Sequence, residues 1–146
     1  MIQNILFVHG PNLSKLGKRD KNHYGVLTLE EIYQKLTDTF PDIEFTFFQS
    51  NYEGELIEII LNAIDETYDA LIINPGAYTH TSIAIRDALE MVDIPKIEVH
   101  LSNLEQREAF RHVNYIKDVC EKTFMGNHIQ SYIDAVQYLK NKDIVS

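Results

Sequence analysis

Four short runs of apolar and β-branched residues, Ile5 to Val8, Ile43 to Phe48, Ala70 to Ile73 and Lys96 to Val99, each stop at a polar segment rich in Asn, His, Ser or Gly. Between them lie stretches whose apolar residues recur every three or four positions, the period of a helix with one buried face. Thr28 with Glu31 reads as a capping box that opens the first, with Leu29, Ile32, Tyr33, Leu36 and Phe40 on its inner side. Leu56, Ile59, Ile60, Ala63 and Ile64 mark the second, Ile83, Ala84, Ala88 and Met91 the third, and Ile129, Ile133, Val136 and Leu139 the last. A fifth, less regular strand is expected over Val119 to Phe124. Strands that alternate with helices are joined most economically as parallel strands with crossover helices. The expectation is an α/β three-layer sandwich with a parallel five-stranded sheet and helices on both faces.

In such a sheet, ligands bind beyond the carboxyl ends of the strands. The segments there are His9-Gly10-Pro11-Asn12, Gln49-Ser50-Asn51-Tyr52, Asn74-Pro75-Gly76-Ala77-Tyr78-Thr79-His80 and His100-Leu101-Ser102-Asn103. They hold three of the six histidines, which places function at this edge.

The chain has 146 residues, 45% of them hydrophobic, enough for one core and too few for two ordinary ones. No repeat or linker divides it, so residues 1–146 are read as one domain. The lone Cys120 excludes an intrachain disulfide framework, and no cationic and then apolar leader precedes the first strand, so a cytoplasmic protein is expected. Glu55, Glu58, Asp65 and Glu66 interrupt the most apolar region, far short of the roughly 20 apolar residues that span a bilayer. A net charge of −9 argues against nucleic-acid binding, which needs a basic face. An anionic small molecule would have to be held by local cations and backbone N–H groups.

Several polar residues have an ordinary reading and a chemical one. Tyr24 before Gly25 is either a turn aromatic or a reactive phenol, and Ser14 to Lys21 is either a solvated loop or a cationic lid. Glu98 and His100 are two apart in a strand, so their side chains leave the same face and can pair. Such a carboxylate fixes the ring and favours its protonated form. A metal site on that face would need further ligands, and no Cys pair or H-x-x-x-H supplies them. Read alone, Asn12 is a turn former, Ser102 a helix cap, His80 a loop histidine, Arg111 a surface ion-pair partner and Asp87 a solvated helix position.

Five blocks occur together: G-P-N-L at Gly10 to Leu13, R-x-x-x-x-Y-G ending at Tyr24-Gly25, Q-S-N-x-E-G at Gln49 to Gly54, N-P-G-A-Y-T-H-T-S from Asn74 to Ser82 with Arg86-Asp87-Ala88 behind it, and I-E-V-H-L-S-N from Ile97 leading to R-E-x-F-R-H at Arg107 to His112. In content and order they resemble type II dehydroquinase, over roughly residues 5 to 115. Departures are His9 where the family usually has Asn, Arg19-Asp20-Lys21 where it has Arg-Glu-Pro, Gly76 for the more usual Ala, and an unlike stretch from Glu121 to His128.

The resemblance implies a flavodoxin-like, doubly wound sheet and a hydro-lyase that converts 3-dehydroquinate to 3-dehydroshikimate through an enolate, without metal or cofactor, in the shikimate or quinate pathway. It implies Tyr24 as base, made anionic by Arg19, His100 as acid oriented by Glu98, and Asn12 holding a water against the enolate oxygen. Asn74, Leu101 and Ser102 would grip the substrate carboxylate, and His80 and Arg111 the ring hydroxyls. Asp87 would reach the site of a neighbouring subunit in a homododecamer built from trimers, and residues 14–25 would form a mobile lid. Gln49 to Gly54 is read as scaffolding.

Other readings are a non-catalytic small-anion-binding or shell-forming homologue, a serine hydrolase and a Schiff-base dehydratase. No G-x-G-x-x-G, P-loop or G-x-S-x-G is present.

Overall fold

The computed structural model describes residues 1–145. Five strands, β1 (Asn4–His9), β2 (Glu44–Gln49), β3 (Ala70–Asn74), β4 (Lys96–His100) and β5 (Lys122–Met125), form one sheet in the order β2-β1-β3-β4-β5 with every neighbouring pair parallel. That is the flavodoxin-like order expected of a doubly wound α/β sheet.

Side chains alternate across β1. Ile5 and Phe7 pack with α2 (Leu29–Thr39) and α5 (Ile129–Val145), whereas Leu6 and Val8 pack with α3 (Glu53–Asn62) and α4 (Ile83–Glu90). Both faces are therefore covered, and every residue of β3 is buried. Each Ile or Phe wholly removed from water here contributes about 1.5–3 kcal/mol. β2, at the edge, exposes Glu44 and Thr46.

The Thr28–Glu31 capping box forms. Thr28 Oγ1 accepts from the Glu31 N–H at 3.1 Å, and the Glu31 carboxylate accepts from the Thr28 N–H at 3.1 Å. These bonds satisfy two donors that the helix start leaves free, and they hold the Glu31 carboxyl below the usual range.

The structure corrects three expectations. The first four strands run one residue further than their apolar runs, to His9, Gln49, Asn74 and His100, because the ladder uses backbone groups and tolerates a polar side chain. The fifth strand begins at Lys122, not Val119, which ends a tight turn over Lys117–Val119. In that turn Asn114 Oδ1 accepts from the N–H groups of Ile116 and Lys117, both at 3.0 Å, and redirects the chain. In α4 the buried stripe is Ile85, Ala88 and Leu89, while Ile83 and Met91 are 54% and 63% exposed. Ser82 sets this phase by capping the Ile85 N–H at 2.9 Å.

Candidate active site

The carboxyl ends of β1, β3 and β4 open into one cleft with a cavity volume of about 90 Å³. Asn12, Arg19, Tyr24, Asn74, His80, His100, Leu101, Ser102 and Arg111 line it together. Glu98 lies behind His100, and Asp87 sits on the exposed side of α4, outside the cleft. Among the described residues the lining includes Arg19, Arg107 and Arg111 and no carboxylate, so this part of a chain of net charge −9 is suited to an anion.

Tyr24 ends a single helical turn, α1 (Lys21–Tyr24), which Asp20 caps by accepting from the Asn22 N–H at 2.9 Å. Gly25 closes the turn at φ 77, a left-handed conformation that disfavours a side chain. The Arg19 guanidinium stacks 3.7 Å from the centre of the Tyr24 ring, and its Nη2 donates to Tyr24 Oη at 2.8 Å. Arg107 Nη1 donates to the same oxygen at 2.6 Å, from a side chain only 8% exposed. Two cationic donors converge on one phenolic oxygen, an arrangement suited to negative charge there. Burial lowers the affinity of Arg19 for its proton; Tyr24 opposes this, while Arg107 and Arg111 add to it. Sequence reasoning named Arg19 but passed over Arg107, whose only signal was its place at the head of the R-E-x-F-R-H block.

On β4, Glu98 and His100 share one face, and Glu98 Oε2 meets His100 Nε2 at 2.5 Å. The other ring nitrogen, Nδ1, is not used by this pair. Burial works to protonate Glu98, but its hydrogen bonds with His100, Thr123 and Asn114 prevail and hold the carboxyl below its ordinary value. His80 Nδ1 lies 2.7 Å from the Val113 carbonyl, which can only accept, so Nδ1 carries the hydrogen. Burial is the main reason that the His80 imidazole is pushed towards its neutral form, which leaves Nε2 as an acceptor.

The backbone around these groups is tightly fitted. A side chain on Gly10 would run into the Pro75 carbonyl, so the turn after β1 can approach β3 only with glycine. Gly76 has φ 61, a left-handed conformation that glycine adopts without strain. Asn12 is also left-handed, at φ 69, and its N–H donates to Asn51 Oδ1 at 3.0 Å. Asn74 donates to the buried Tyr132 hydroxyl at 2.8 Å and accepts from the Gly76 N–H at 3.1 Å, leaving one of its N–H groups unspent. Asn103, not Ser102, caps the next turn by accepting from the Glu105 N–H. Ser102 is buried, with its hydroxyl 3.4 Å from Arg107 Nη1.

His9 is wholly buried, stacked on Phe7 at 5.0 Å and 3.1 Å from the Tyr33 hydroxyl through Nδ1. Burial pushes its ring down to about 3, so it is neutral. It supports the floor of the site and does not line the cleft. Among the described residues, no group of three or more His, Cys, Asp and Glu side chains is placed to hold a metal ion.

The family model for class II dehydroquinase matches residues 3–140. A 3-dehydroquinate dehydratase of Thermotoga petrophila is 46% identical over 140 residues, covering 94% of this chain and 95% of that protein. One of Hydrogenovibrio crunogenus is 53% identical over 125 residues, covering 84% and 86%. Among solved structures, the type II dehydroquinase of Butyrivibrio crossotus superposes with a TM-score of 0.92 at 43% identity, covering 95% and 98% of the two chains. With five parallel strands in the same layered fold and near full-length similarity at this level, the chain belongs to the class II dehydroquinase family.

Proposed function

We propose that this chain dehydrates 3-dehydroquinate to 3-dehydroshikimate, with Tyr24 taking a proton from the carbon beside the ketone and His100 protonating the departing hydroxyl. The observation that carries this reading is the single cleft lined by both Tyr24, under two guanidinium groups, and His100, backed by a buried carboxylate.

Removing a carbon-bound proton requires a base, a stabilised enolate oxygen and an acid for the leaving group. Arg19 and Arg107 stabilise charge on the Tyr24 oxygen, so the proton passes from substrate carbon to Tyr24 Oη. The electron pair left on carbon moves to the ketone oxygen, where a water held by Asn12 donates to the enolate. Collapse of the enolate expels the hydroxyl, which takes a proton from His100 Nδ1 and leaves as water. Transfer of the Tyr24 proton back to His100 through solvent resets both groups.

The substrate carboxylate fits Ser102 and main-chain N–H groups near Leu101, with Asn74 alongside. Arg111 and neutral His80 meet the ring hydroxyls, the histidine through its acceptor nitrogen. Residues 14–25, which carry Lys15, Lys18, Arg19 and Lys21 against Asp20 alone, close over the bound anion and exclude water. We place residues 1–146 in one catalytic domain, acting in the cytoplasm in the shikimate or quinate pathway.

Asp87 acts on a neighbouring subunit's cleft in this reading. It shares a face of α4 with exposed Ile83 and Met91, an apolar stripe suited to cover by another copy, which supports trimers that assemble into a dodecamer.

Adding 3-dehydroquinate and following the ultraviolet absorbance of the conjugated product tests the activity. Tyr24→Phe should bind substrate but lose most turnover, and near wild-type turnover would remove Tyr24 from its role.

A further inference from the structure

Glu98 is completely closed off from solvent, yet three donors surround it. His100 Nε2 and Asn114 Nδ2 share Oε2, at 2.5 and 2.6 Å, and Thr123 Oγ1 donates to Oε1 at 2.7 Å. A buried carboxylate without such partners would cost several kcal/mol and would take up a proton instead. His100 alone serves only one of the two oxygens.

We propose that Asn114 and Thr123 are positioning residues for His100: by holding Glu98 charged and fixed in rotation, they keep the acid in the form that can deliver its proton. The inference rests on the assignment of His100 as the acid.

The geometry of both donors is imposed from elsewhere. Thr123 is the direct register partner of Glu98 across the β4–β5 ladder, so its side chain leaves the same face. Asn114 spends its Oδ1 on the N–H groups of Ile116 and Lys117, which forces its Nδ2 towards the carboxylate. Neither residue lines the cleft, so neither touches the substrate.

The other titratable groups felt by Glu98 cannot replace them. His80 is pushed towards neutrality, chiefly by burial, and the Cys120 thiol is pushed up to about 12 by burial and by the charge of Glu98. Without Thr123 and Asn114, only His100 would be left to hold the buried Glu98 carboxylate charged and in place, and its support of the acid would weaken. Thr123 lies in the Glu121 to His128 stretch, the part of the sequence least like the resembled family.

The test compares kcat and KM across pH for wild-type, Thr123→Val, Thr123→Ser and His100→Ala. Thr123→Val keeps the side-chain shape on a strand and removes only the donor. It should lower kcat about tenfold, the loss of one hydrogen bond to a charged group, with KM unchanged. It should also move the alkaline limb of the kcat profile to lower pH, because a less firmly held Glu98 charge supports the acid less. Thr123→Ser restores the hydroxyl and should restore the profile. A Thr123→Val profile that superimposes on wild type, with His100→Ala inactive, overturns this inference and leaves the acid assignment standing. Near wild-type turnover in His100→Ala overturns both.

Discussion

Replacing Arg107 with alanine would remove the shorter of the two hydrogen bonds to the Tyr24 oxygen while leaving Arg19 in place at 2.8 Å. A hydrogen bond to a charged group contributes about 1.5–3 kcal/mol, and two unit charges about 4 Å apart at an effective dielectric near 20 interact by about 4 kcal/mol. One of two cations is lost, and the survivor is relieved of repulsion from it, since Arg107 disfavours the charge on Arg19. The net loss should be about 2 kcal/mol, or roughly thirtyfold in kcat. Arg19→Ala should cost a similar factor, increased by loss of its stacking on the ring at 3.7 Å. Because each arginine partly compensates for the other, the double variant should fall by more than the product of the two single effects. Steady-state rates of the three variants measure this coupling, and added guanidinium should restore part of the activity of Arg107→Ala. A single variant within twofold of wild type, or effects that simply multiply, would refute the shared support of Tyr24.

His9 supplies a pH-dependent stability prediction. Its folded value of about 3 lies below the ordinary value of 6.5, so the unfolded chain binds the proton first. The stabilisation is complete above pH 6.5 and is lost as pH falls towards 3, to an extent on the order of 5 kcal/mol. Denaturant midpoints across that range should fall steeply for wild type and less for His9→Asn. Gly10→Ala drives a methyl into the Pro75 carbonyl and should cost at least about 2 kcal/mol, read as a lower melting temperature; an unchanged one would show that the turn can move. Among the described residues no lysine lines the cleft, so borohydride added with substrate should leave activity intact, and irreversible inactivation would point to a Schiff base instead.

Local pattern carried much of the fold. The unbroken apolar run of β1, the three-and-four spacing of α2 and the Thr28–Glu31 cap depend on neighbours in the chain, so they were legible from the residues alone. The phase of α4 was misread, because Ile83 and Met91 fit helical spacing as well as Ile85 and Leu89 do. Only the Ser82 cap and the sheet beneath decide which set turns inward. Similarly, the apolar run around Val119 could not reveal that Asn114 bends the chain and delays β5 to Lys122.

The sequence by itself determined the layered α/β class, the strand ends as the place where the candidate residues gather, and the pairing of Glu98 with His100, since two strand residues two apart leave one face whatever surrounds them. Tertiary structure alone brought Arg107 to Tyr24 across 83 positions, Thr123 to Glu98 across 25, and Tyr132 to Asn74 across 58. Those contacts depend on strand register and on how the crossovers return the chain, quantities that no local spacing encodes.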